Sequence, residues 1–83
     1  MNENFAYPMF CYRDVKAGSF SPPFCAVNTE VAKRMFDFQL HNDNSMGFSP
    51  GDYELYRVGT FYGMTGKVEG QMPDFIVGGA ELF

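Results

Sequence analysis

The segment Gly51–Val68, GDYELYRVGTFYGMTGKV, constrains the fold of this chain more than any other. Asp52–Tyr62 is dense in Tyr, Val, Thr and Phe, residues that fit a pleated, half-buried surface. Gly63–Gly66, GMTG, supplies glycines that take positive φ at no steric cost, and Lys67–Glu69 resumes strand character. The segment therefore predicts a β-hairpin. With 83 residues the chain is a single domain, 1–83, in which residues 1–7 read as a flexible arm.

The flanking sequence supplies the rest of the architecture. Met9–Arg13, MFCYR, predicts a strand, and Asp14–Ser21, with Gly18 and Ser19, a loop or wide turn. Pro22 and Pro23 withhold two backbone donors, so the short strand expected at Phe24–Val27 begins at a sheet edge. Asn28 is a good helix N-cap, with Glu30 placed in the first turn to favour the helix dipole. Over Thr29–Leu40, Val31, Ala32, Met35, Phe36 and Leu40 recur at spacings of three and four, and Phe38 widens that apolar stripe. Glu30–Arg34 and Lys33–Asp37 are i,i+4 pairs of opposite sign on the polar side. The run from His41 to Asp52 is turn-forming. Gly70–Asp74 is expected to break the hairpin's second strand, leaving Phe75–Val77 as a separate short one. The expected fold is α+β: a small antiparallel sheet of four to five strands with one helix packed on one face.

Composition narrows the function classes. Ten Phe and five Tyr are more rings than one small core readily encloses, so some are expected at a contact surface. Six Lys and Arg against ten Asp and Glu give a net charge of −4, which weakens the simplest argument for nucleic-acid binding. Two cysteines and one histidine are too few for a four-ligand zinc site. Cys11 and Cys25 are expected to be reduced core residues, and His41 to sit at the helix end near the negative pole of its dipole. The carboxylates are scattered, with no EF-hand spacing. GMTG and VGGAE match neither a P-loop nor a dinucleotide fingerprint. No cofactor, metal or enzymatic activity is implied, and neither a signal peptide nor a membrane span is expected.

One constellation bears on binding. Arg13, Arg57 and Lys67 fall on expected strands close to Tyr12, Tyr53, Tyr56 and Tyr62. A sheet face carrying aromatic rings and a few cations holds single-stranded nucleic acid by stacking bases and following phosphates. The competing reading makes these rings core or dimer interface and leaves the cations solvated, and the acidic balance favours it.

Read in order, FCYRDVKAGSFSPPF, TEVAKRMFDF and SPGDYELYRVGTFYGMTGKV resemble the small nonstructural protein of gokushovirus-type microviruses, phages with single-stranded circular DNA genomes. The likeness extends over about Met9 to Leu82. Its matching positions are Pro50, Asp52, Tyr53, Gly59, Phe61, Thr65 and Gly66. In GTFYGMTG this chain lacks the acidic residues that the family often carries before the Thr-Gly turn. The resemblance implies a non-enzymatic, DNA-binding protein of the host bacterial cytoplasm. It would act in viral DNA replication, the switch to single-strand synthesis, or genome packaging, with viral replication or capsid proteins as further partners. The alternative is a self-associating module that binds a viral or host protein without touching DNA. A homo-oligomer is expected in either case.

Overall fold

The computed structural model describes residues 5–82. Its fold is α+β, in the chain order β1 (Ala6–Asp14), β2 (Ser19–Phe20), β3 (Phe24–Cys25), α1 (Thr29–Asn42), a short α2 (Asn44–Phe48), β4 (Tyr53–Tyr62) and β5 (Val68–Gly78). One antiparallel sheet contains all five strands: β1 pairs with β4 on one side and with β2 and β3 on the other, and β5 pairs with the outer side of β4. Of the arm expected at 1–7, residues 1–4 lie outside the described residues, while Ala6 and Tyr7 open β1. No described helix is long and apolar enough to cross a membrane.

β2 and β3 behave as one interrupted strand. Pro22 and Pro23 stand between them and have no N–H to offer β1. Ser21 carries the pairing up to that gap. Its N–H donates to the Tyr12 carbonyl at 2.8 Å, and its Oγ accepts from the Tyr12 N–H at 2.9 Å. The stretch read from sequence as a loop therefore ends in a strand pair, Arg13 opposite Phe20 and Asp14 opposite Ser19.

The helix begins as expected: the Asn28 side chain accepts from the Val31 N–H at 2.8 Å. Ala32, Phe36 and Leu40, four residues apart, are fully enclosed against Phe10, Leu55 and Val77, with Met46 of α2 beside them. The buried stripe is narrower than the sequence predicts. Met35 and Phe38 are 39% and 68% exposed, so beside the row Ala32, Phe36 and Leu40 only Val31 of the flanking apolar residues packs against the core. The polar contacts of the helix also differ: Lys33 reaches Glu30 at 3.6 Å, and His41 Nδ1 lies 2.9 Å from the Asp37 carboxylate. The turn-rich run after His41 contains α2, whose N-cap is Asp43. Its carboxylate accepts from the Ser45 hydroxyl at 2.7 Å and from the N–H groups of Ser45 and Met46, and these bonds hold it below the usual Asp range.

The expected break at Gly70–Asp74 is instead a bulge inside one continuous strand. Near the turn, Phe61 faces Val68 and Gly59 faces Gly70, but the next β5 partners are Arg57 with Asp74 and Tyr56 with Phe75. Residues 71–73 thus oppose Val58 alone, and Pro73, which cannot donate to a ladder, lies in the irregularity. Two glycines shape this hairpin. Gly66, at φ +78, occupies the left-handed position of the turn, with its N–H bonded to the Tyr62 carbonyl at 2.7 Å. Gly59 lets β5 approach closely: a Cβ there would lie 2.5 Å from the Glu69 carbonyl oxygen.

Gly59→Ala should therefore destabilise the fold by about 2 kcal/mol, because the obstructing atom is backbone. Gly70→Ala, whose added methyl meets nothing within 4 Å, should change stability by less than about 0.5 kcal/mol. Urea unfolding midpoints of the two variants check this contrast.

Candidate nucleic-acid interface

Alternation along the strands divides the sheet into two unlike faces. Phe10, Leu55 and Val77 point toward α1, and Tyr12 and Tyr53 pack against the same core. Their neighbours Cys11, Arg13, Glu54 and Tyr56 consequently point to the other face. Register sets Cys11 opposite Tyr56, Arg13 opposite both Glu54 and Phe20, and Tyr56 opposite Phe75.

On this helix-free face three rings make a row across the sheet. Tyr56 meets Phe20 edge-on at 5.4 Å and Phe75 edge-on at 5.7 Å between centroids. The Arg13 guanidinium lies 5.5 Å from the centre of the Phe20 ring, close enough for a cation–π contact. Phe20 is 42% and Phe75 50% exposed, so both outer rings offer uncovered aromatic surface. The Tyr56 hydroxyl donates to Glu54 at 2.9 Å, which raises its pKa above the usual tyrosine value.

The sequence-predicted residues separate into three groups. Arg13 and Tyr56 belong to the row. Tyr12 and Tyr53 lie on the helix side. The Tyr12 ring sits 5.0 Å from Phe24 and is stacked at 5.2 Å on Phe36, so its faces are engaged in packing. Burial raises the pKa of both phenols, and Asp14, Asp43 and Asp52 add to the effect at Tyr53. Arg57, Tyr62 and Lys67 form a third group in the hairpin. Arg57 pairs in register with Phe10, a core-facing residue, and so leaves the row; its Nη2 donates to Thr60 Oγ1 at 3.0 Å and its Nε to the Gly59 carbonyl at 3.3 Å. Tyr62 donates to Glu69 at 3.0 Å, which raises the phenol pKa, and the Lys67 ammonium lies 3.7 Å from the same carboxylate. The cations of the hairpin are thus engaged by its own acceptors.

Phe20 and Phe75 escaped the sequence reading. Phe20 sits in what reads as a loop, and only its pairing with Arg13 across β1 and β2 reveals that it belongs to the sheet. A plain hairpin continued from Gly59–Gly70 would bring Pro73 to Tyr56, so no simple count predicts Phe75 there. Among the described residues no group of three or more His, Cys, Asp or Glu is placed to hold a metal ion.

A family model described as Phage ORF5 protein matches residues 7–82 of the chain. No curated protein and no solved structure matches it.

The raised phenols make stability depend on alkaline pH. An unfolded chain ionises its tyrosines near pH 10, whereas Tyr12, Tyr53, Tyr56 and Tyr62 hold their protons to higher pH when folded. Their contribution is present below about pH 10 and is lost as pH rises through the folded values. Phenolate absorbance titration should show Tyr56 returning toward the ordinary value in Glu54→Gln, with Tyr62 unmoved.

Proposed function

The chain belongs to the Phage ORF5 protein family, and from that premise we propose that its helix-free sheet face binds single-stranded DNA during the viral DNA cycle. The role is non-enzymatic: it serves replication, the switch to single-strand synthesis, or genome packaging, in the host bacterial cytoplasm. The resemblance of SPGDYELYRVGTFYGMTGKV supports placing the protein with the small nonstructural proteins of gokushovirus-type microviruses.

The observation that carries this reading is the Phe20–Tyr56–Phe75 row with Arg13 at its end. Uncovered rings on a sheet accept bases of any sequence, since every base has a π-face, and a neighbouring cation follows the phosphates. Arg13 is the one cation of the row, so the reading expects stacking to dominate and the electrostatic share to be small. That division is compatible with a net charge of −4.

A second reading has its own observation. Tyr12, Val31, Arg34, Met35, Phe38 and Gln39 line an open cleft of about 500 Å³ beside α1, a surface of the kind that a protein partner covers. This reading takes the chain as a self-associating module without direct DNA contact, and it predicts a dimer or larger species by light scattering.

Fluorescence anisotropy with a labelled oligonucleotide separates the two. The DNA reading expects binding at low salt that weakens as salt rises, with a slope of about −0.7 for each phosphate neutralised. Phe20→Ala and Phe75→Ala should each cost about 1–3 kcal/mol of binding, the worth of one stacked base, while Phe38→Ala on the helix side leaves affinity unchanged. Absence of binding at low salt, or binding indifferent to salt, removes the phosphate-contact account.

A further inference from the structure

Arg13 and Glu54 stand directly opposite each other on β1 and β4 and point to the same face. Opposite charges in that relation normally pair across the strands. Among the described residues no ion pair joins them. Glu54 instead accepts the Tyr56 hydroxyl at 2.9 Å, and the Arg13 guanidinium lies beside both Phe20 and that hydroxyl, its Nε buried without a hydrogen-bond partner. The register thus sets up a neutralising pair, and the side chains decline it.

We infer that the Tyr56 hydroxyl is a positioning group: standing between the Glu54 carboxylate and Arg13, it keeps that carboxylate off the guanidinium and leaves the cation of the aromatic row without an anionic partner until a DNA phosphate arrives. The inference rests on the DNA-binding reading of the sheet face. It gives Tyr56 two separable roles. The ring sits edge-on between Phe20 and Phe75 and sustains the row. The hydroxyl governs charge, because a carboxylate released beside Arg13 competes with phosphate for the same guanidinium. Hydrogen bonds to an ionised acceptor are stronger than neutral ones, which suits a phenol to this task.

Tyr56→Phe separates the roles, since it keeps the ring and removes the hydroxyl. Anisotropy with a labelled oligothymidylate across a salt series should show Tyr56→Phe binding about two- to five-fold more weakly, the scale of a competing exposed ion pair. Its salt slope should be shallower by about 0.7, one phosphate contact. In a Glu54→Gln background the same substitution should have a clearly smaller effect, because no competing carboxylate remains. Without DNA, the Arg13 Nε–H resonance should shift further in Tyr56→Phe, where the carboxylate can reach it, than in the double variant, where only the hydroxyl is lost. The inference is overturned if Tyr56→Phe matches the wild type in affinity and slope, or loses equally in both backgrounds. Failure of the wild type itself to bind is a different result. It removes the DNA reading and the role of Tyr56 in it, while the Arg13 resonance still reports whether the hydroxyl holds Glu54 away.

Discussion

Burial of Phe36, between Ala32 and Leu40, against Phe10 and Leu55 is the contact from which the rest of the structure follows. It commits α1 to one face of a narrow sheet. Enclosing a phenylalanine of this kind is worth about 3–5 kcal/mol by truncation, a large share of what an 83-residue chain has available. Once the helix is fixed, strand alternation leaves no freedom. Tyr12 and Tyr53 must join the core, and Arg13 and Tyr56 must face away from it. The division between structural and candidate binding tyrosines is therefore a consequence of where Phe36 goes.

The uncovered face is organised by its own ring contacts. Edge-to-face aromatic pairs are worth about 0.5–1.5 kcal/mol beyond their area, and Tyr56 makes two of them. They are brought together by the irregularities of the sheet. Ser21 keeps Phe20 in register with Arg13 ahead of the two prolines. The bulge opposite Val58 advances β5 so that Phe75, and not Pro73, meets Tyr56. Features that would count as interruptions in a regular sheet are what assemble the row.

The sequence revealed those parts of the fold that depend on local chemistry. The Asn28 cap, the four-residue spacing of Ala32, Phe36 and Leu40, the β4 strand and the Gly66 turn are each written in neighbouring residues. What stayed hidden depends on contacts between distant segments. Asp43 as a cap for α2 was masked by the turn-forming residues around it. The unity of β5 was masked by Gly70 and Pro73, which break a strand unless a bulge accommodates them. Of the candidate site, Arg13 and Tyr56 could be named from their residue types, but nothing local distinguishes them from Tyr12 and Tyr53. Phe20 and Phe75 become visible only through the register.

On the proposed function, the helix-free face and not the helix side meets single-stranded DNA. Titration of the isotopically labelled protein with an unlabelled oligonucleotide, followed through its aromatic NMR resonances, tests this most directly. Shifts are expected to concentrate at Phe20, Tyr56 and Phe75, with Tyr12, Phe24 and Phe36 nearly unmoved. Shifts confined to Phe38 and its neighbours on α1, or no shifts at any concentration, would contradict it.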